Sequence, residues 1–443
     1  MTADPQVRHT GIYRRLAWPV LVPSVLFGVA AGATVPVSVV AAIQLGASAW
    51  LASLIIAIVG AISLATTVPA GQLIDRVGDR PAMALATGYA AVLTIGSIVA
   101  LVWGLSGDGD HGVWPLVLFM ASTFLRAPAL NVWSLARQAY VADRLPTAQV
   151  GRAMTALGGT MRAGNLLGPL LGGLLLLFTP LWSVWVLSMV CTLIALAVVY
   201  SPRLGGRLDE NEGAARPRTE SRRRRRSGTA VGEPSARLAR APLDVRWRAV
   251  LLAGVAIVTL AVARVAQPVV IQLWGVHLEL SPSTISWIVA AGAALEMVLM
   301  FPGGYLKDRL GRAPILIACL VVYGGGFLLL PLQASVAWMV FAVLVMAVGN
   351  GLGAGVNMTI GADLSPREGR GRFLGIWALF SNVGVLGGPA LVALLVAMST
   401  VSVAAVSIGA VAVLGAAWMA VFARFIGLPR GVLRPDAAQQ PVP

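Results

Sequence analysis

Charge is scarce in this 443-residue chain: Asp, Glu, Lys and Arg make up only 12% of it, about half the share of an average soluble domain. A fold surrounded by water cannot conceal the 58% of residues that are hydrophobic, so an ordinary soluble globule is excluded. Lysine occurs once, at Lys307, and no G-x-x-x-x-G-K-[S/T] run is present, which excludes ATP hydrolysis of the phosphate-loop kind. Cys191 and Cys319 are the only cysteines; both fall in apolar stretches and read as packing residues. With no Cys/His metal spacing and no nucleophile motif, the chain is expected to be no enzyme and to need no metal or cofactor.

What is abundant is apolar sequence. Stretches of about 20 residues, each long enough to cross a ~30 Å hydrocarbon core, begin near Leu16 and recur to the C-terminal region, and twelve can be counted. The first, Leu16 to Ile43, is too long for a signal-peptide core and leads straight into a second, so it reads as a retained span. An all-α integral membrane protein of twelve transmembrane helices is expected.

Arginine placement gives the topology, because cytoplasmic loops carry the positive excess. Arg8, Arg14 and Arg15 precede span 1, Arg76 and Arg80 follow span 2, and Arg137, Arg144 and Arg152 join spans 4 and 5. The same side receives Arg203 to Arg248, then Lys307, Arg309 and Arg312, then Arg367, Arg370 and Arg372, and finally Arg424, Arg430 and Arg434. Opposite loops carry Asp108, Asp110, His111, His277 and Glu279. Both termini are expected on the cytoplasmic side of the inner membrane. The net charge of +15 follows topology and is no nucleic-acid footprint.

Residues 203–246 are polar, aperiodic and rich in Gly, Pro and Arg, and read as a disordered linker. Its run Arg222 to Arg226 either meets anionic lipid headgroups or only fixes topology. The linker separates a half at 1–202 from a half at 247–426, with a tail at 427–443. Gly71-Gln-Leu-Ile-Asp75-Arg76-Val-Gly78-Asp79-Arg80-Pro81 returns as Gly304-Tyr-Leu-Lys-Asp308-Arg309-Leu-Gly311-Arg312-Ala-Pro314, and Asp75 and Asp308 lie 233 residues apart. Asp143 with Arg152 returns as Asp363 with Arg372, and Gly168-Pro169 as Gly388-Pro389, both 220 residues apart. Three landmarks repeated in one order imply a duplicated six-helix unit.

These repeated G-x-x-x-D-R-x-G turns resemble the signature of the major facilitator superfamily (MFS), and the resemblance spans nearly all of the chain outside linker and tails. It implies the MFS fold of two pseudo-symmetric six-helix halves, with the turns as gating elements: Gly71, Asp75, Arg76, Gly78 and Arg80, and Gly304, Asp308, Arg309, Gly311 and Arg312. The family's latch between the halves is carried over onto Asp75, Arg76 and Arg80, while Asp79 stands where the family has a basic residue. Gly164, Gly168, Pro169, Gly172 and Gly173 in span 5 resemble the motif of the family's drug–proton antiporters, although small residues at that spacing also serve plain close packing.

Ionisable residues at bilayer depth cost about 2.5–3.5 kcal/mol and need a partner or a task. Arg126, Arg162, Arg264 and Glu296 qualify, and Glu296 is the sole carboxylate inside any span. Desolvation pulls a carboxyl at such depth one way and a neighbouring arginine the other, so it can gain and lose a proton as its surroundings change. Glu296 is therefore the leading proton-coupling candidate, with a permanent ion pair to one of the arginines as the alternative; Arg126 sits where the family has its span 4 arginine. The resemblance puts spans 1, 4, 7 and 10 around the cavity, making Phe27, Asn131, Trp133, Gln267, Gln272, Asn350 and Asn357 lining candidates. In-span Asn and Gln serve either substrate contact or helix–helix hydrogen bonds. The expected function is secondary transport, foremost proton-coupled efflux of small, partly hydrophobic compounds or drugs. Alternatives are uptake or proton symport of an anionic metabolite, suggested by the arginine excess, and a non-transporting scaffold or sensor. The expected partners are a small-molecule substrate, protons and membrane lipid, and the expected state is a monomer.

Overall fold

Proline and glycine decide where the spanning helices bend. The computed structural model describes residues 20–107, 111–144, 147–201, 245–366 and 370–429. Outside them lie Arg8, Arg14, Arg15, Asp108, Asp110, Arg222 to Arg226, Arg367, Arg430 and Arg434, nearly all of the expected linker, and most of the tail; the side chains of Asp143, Arg144, Arg152, Arg370 and Arg372 lie outside as well. The helices are α1 (Val22–Thr34), α2 (Ser38–Gln44), α3 (Ala49–Ala65), α4 (Thr67–Val77), α5 (Asp79–Leu105), α6 (Trp114–Arg144), α7 (Thr147–Leu175) and α8 (Ser183–Tyr200). There follow α9 (Trp247–His277), α10 (Pro282–Leu310), α11 (Arg312–Leu329), α12 (Val336–Leu352), α13 (Val356–Leu364), α14 (Arg370–Met398) and α15 (Val401–Ile426).

Among the described residues ten helical spans are long and apolar enough to cross a membrane, or eleven when α3 and α4, meeting at 48°, count as one. The remaining expected span, α7, has the length at 29 residues but is diluted by Arg162, Asn165 and its glycines. Pro36 opens a 3-10 turn between α1 and α2, and Pro128, Pro169, Pro268, Pro302 and Pro389 lie inside α6, α7, α9, α10 and α14. Each proline removes an amide donor and invites a bend.

Helix pairing repeats. In the first six spans α1 packs on α7 and α8, α5 on α6 and α8, and the α3–α4 pair on α6; in the last six α9 packs on α14 and α15, α11 on α12 and α15, and α10 on α12. The two sets meet through α3 with α14 and through α7 with α10, each the counterpart of the other. Gly78 and Gly311, equivalent in the repeat, share one backbone shape at φ 91, ψ 159 and φ 93, ψ 169. That region is open essentially to glycine alone, which explains the glycine ending both turns. Gly71 and Gly304 have open space where a Cβ would lie, whereas at the neighbouring Gly303 a Cβ would meet Leu352 Cα at 2.9 Å.

The antiporter-like motif of span 5 acts as a seam. A Cβ on Gly164 runs into the backbone of Gly28, and one on Gly168 meets Gly32 Cα at 2.7 Å, so α1 and α7 touch backbone to backbone. Gly384 and Gly388 of α14 approach α9 in the same way at Ala261 and Val262. The free Cys191 and Cys319 are both buried, in keeping with packing roles. Gly164→Val is predicted to cost about 1–3 kcal/mol by overpacking, read as a lowered melting temperature in nanodiscs. Gly88→Val, where nothing lies within 4 Å, leaves it unchanged.

Candidate functional site

A cavity of about 250 Å³ lies where the two sets of six spans face each other. Gly32, Val35 and Pro36 at the break in span 1 line it, with Asn165 and Pro169 of α7, Gln267, Pro268 and Ile271 of α9, Val289, Gly292, Ala293 and Glu296 of α10, and Val343 and Ala347 of α12. The wall is mostly apolar, with polar groups from Asn165, Gln267 and Glu296. Three prolines line it: Pro36 at the break in span 1, and Pro169 and Pro268 inside α7 and α9, where each removes an amide donor.

Glu296 organises the charges around this wall. Its Oε1 pairs with Arg162 Nη1 at 3.2 Å, across the interface between the two sets of helices. The side chains are 35% and 28% exposed for Arg162 and Glu296, so the pair is reachable from the cavity. Its Oε2 accepts from Asn350 Nδ2 at 2.7 Å, and Asn350 Oδ1 accepts in turn from Arg264 Nε at 2.6 Å. Glu296 therefore answers Arg162 directly and Arg264 through an amide. Arg126 stays apart: both Glu296 oxygens are occupied by other groups, and Arg126 Nε has no hydrogen-bond partner among the described residues.

Of the expected lining residues, Gln267 alone lines the cavity, and its Oε1 accepts from the buried Tyr323 hydroxyl at 2.5 Å. Phe27 and Trp133 stack on each other, centroids 3.9 Å apart, in the core of the first six spans. Arg137, expected in a loop, lies inside α6, only 5% exposed, with its guanidinium 4.7 Å above the Trp133 ring. The other amides serve backbone and neighbouring helices, because a bilayer offers no water to a freed peptide group. Asn131 donates to Ser63 O at 2.7 Å beside the α3–α4 bend. Gln272 accepts from Val39 N at 2.8 Å beyond the span 1 break. Asn357 donates to Ser381 Oγ at 2.7 Å and accepts from Trp377 Nε1 at 2.9 Å. Asn165, Pro36 and Pro268 are site residues that sequence reasoning passed over; a polar or helix-breaking residue in mid-span was their signal.

The contacts described for the turns expected to gate run within each set of six. Arg80 donates to Val199 O at 3.0 Å and Ser201 O at 3.2 Å, tying the start of α5 to the end of α8. Arg312 pairs with Asp363 at 3.2 Å and Asp308 at 3.3 Å, and Arg309 lies over Tyr305 at 4.6 Å. Asp75 and Arg76 are exposed, and among the described residues neither bonds across the halves. Besides the Arg162–Glu296 contact, the hydrogen bonds joining the two sets among the described residues are Val39 to Gln272 and Ser283 Oγ to Gly173 O at 2.7 Å. Both lie toward the end remote from the arginine turns, and at the arginine end no hydrogen bond joins the two sets among the described residues.

The family model described as Major Facilitator Superfamily matches residues 24–266 and 252–442. An uncharacterized MFS-type transporter, YhcA, of Bacillus subtilis (strain 168) is 28% identical over 144 residues, 32% of this chain and 26% of that protein. The match thus spans about a quarter of that relative. A POT family transporter solved with a thioalcohol-conjugated peptide is similar in fold, with TM-score 0.69, 13% identity, 94% of this chain and 97% of that chain covered. A D-xylose–proton symporter gives 0.66, 14%, 96% and 100%, and the inward-open xylose transporter XylE of E. coli 0.65, 14%, 94% and 97%.

Gln272→Leu leaves the Val39 amide buried without its acceptor, a loss of about 1–3 kcal/mol predicted to lower the melting temperature. An unchanged melting temperature contradicts a holding role for that bond.

Proposed function

The chain belongs to the Major Facilitator Superfamily, and on that premise we propose that this multi-pass membrane transporter is proton-coupled and exports small, partly hydrophobic compounds by alternating access. The observation that carries the reading is the placement of Glu296: the sole carboxylate within any span sits on the cavity wall and pairs with Arg162 across the interface. A proton on Glu296 removes the charge–charge attraction of that pair, which lets the two sets of helices, taken as 1–202 and 247–426, rock apart. Coupling then needs no further carboxylate.

The apolar wall supports a partly hydrophobic substrate, since apolar surface removed from water is worth about 25 cal/mol per Å². The antiporter-like motif supports export. By the positive-inside rule the arginine turns and both termini face the cytoplasm of the inner membrane, so the conformation described, tied at the opposite end, opens inward. A second reading, proton symport of an anionic metabolite, is favoured by two arginines gathered on one glutamate; one structural neighbour is named a proton symporter.

Everted vesicles holding an inward-acid gradient separate the two. Substrate-induced loss of the gradient is the result expected for antiport. Glu296→Gln is predicted to cut proton-driven transport at least about tenfold, as expected for an essential proton-transfer group, while keeping substrate exchange without a gradient. Full proton-driven transport by this variant contradicts the proposal.

A further inference from the structure

Span 10 is two helices. α12 ends at Leu352, residues 353–355 form a turn, and α13 begins after Gly355, whose φ is +74. Such a break frees carbonyls at the end of α12 that find no water in the bilayer. Two cations from other spans bond the carbonyls of this turn, of which Gly353 O also accepts from Val356 N at 3.1 Å. Arg264 Nη2 donates to Gly353 O at 3.1 Å, and Lys307 Nζ donates to Ala354 O. A helix C-terminus also carries partial negative charge, which favours cations there.

The two cations stand differently to Glu296. Arg264 reaches it through Asn350. Lys307 follows it on α10 by eleven residues, close to three helical turns at 3.6 residues per turn, and so shares its face. The ionisable groups around Glu296 are Arg162 of α7, Arg264 of α9, and Cys319 and Tyr323 of α11, while Lys307 stands beside Asp308 and Arg312 and also feels Arg162 and Arg264. Two arginines thus gather about one carboxylate, and Lys307 stands within their field.

We infer that Asn350, Arg264 and Lys307 are positioning residues that couple the charge of Glu296 to the break in span 10. This rests on Glu296 as the proton carrier proposed above. With Glu296 ionised, the cations are held together and clamp Gly353 and Ala354. A proton from cavity water adds to a carboxylate oxygen, the negative charge that answers Arg162 and Arg264 is lost, and these two repel each other and Lys307. The clamp slackens and α13 is freed to swing against α12, at the arginine end of the molecule where no described hydrogen bond joins the two sets of helices.

Amide hydrogen exchange on the full chain in nanodiscs tests this without transport. Glu296→Gln is expected to raise exchange in residues 353–364 at least about threefold, the signature of local opening, while α15 stays protected. Asn350→Ala, which keeps every charge, gives the same local rise; Lys307→Met does so too, and Lys307→Arg preserves protection. If Glu296→Gln loosens the whole bundle, Asn350→Ala decides. Wild-type protection of residues 353–364 in Asn350→Ala overturns the inference. Loss of proton-driven transport in Glu296→Gln with the break still protected overturns the clamp and leaves the coupling proposal standing; a loosened break with full proton-driven transport does the reverse.

Discussion

The salt bridge between Arg162 and Glu296 is the contact on which the other charges of this protein depend. It joins α7 to α10 across the interface at 3.2 Å, in a medium where an unpartnered charge is costly. Arg264 is held through Asn350 to the same carboxylate. Removing the negative charge at one place therefore disturbs cations on two helices. A salt bridge of this kind adds little net stability, because desolvation offsets much of the attraction. Its value is that it is easily switched.

A second constraint shapes everything around that pair: each break in a spanning helix needs a side chain to answer the freed peptide groups. Gln272 answers Val39 near the break in span 1, Asn131 answers Ser63 in span 2, and Arg264 and Lys307 answer Gly353 and Ala354 in span 10. The breaks allow the cavity and the bends, and the polar side chains make the breaks tolerable. Polar residues in these spans thus serve the backbone first and a substrate second.

Much of this was legible in the chain itself. The twin turns predicted equivalent positions, and Gly78 and Gly311 adopt one backbone shape. Glu296 stood out because no other span carries a carboxylate, though composition alone left its partner among three arginines. Facing was harder to read. Asn131, Gln272 and Asn357 were expected to line a cavity and instead bond backbone or a neighbouring helix, because sequence gives depth along a span but not the direction a side chain takes. Arg137 was placed in a loop since charge ends a hydropathy run; the Trp133 ring beneath its guanidinium supplies a favourable cation–π contact and α6 runs on through it. Phe27 and Trp133 satisfy each other as a stacked pair, a contact between residues a hundred positions apart that no local pattern announces.

The central claim is that the charge on Glu296 sets how the two sets of helices sit against each other. Val77 and Leu310, equivalent in the repeat, are both exposed at the arginine end, whereas Cys191 and Cys319 are buried, so spin labels on cysteines introduced at 77 and 310 report the opening there. The interspin distance measured by pulsed dipolar spectroscopy is predicted to redistribute on acidification in the otherwise wild-type chain and to be fixed at one distribution when Glu296→Gln is added. A pH response that persists unchanged with Glu296→Gln contradicts the account.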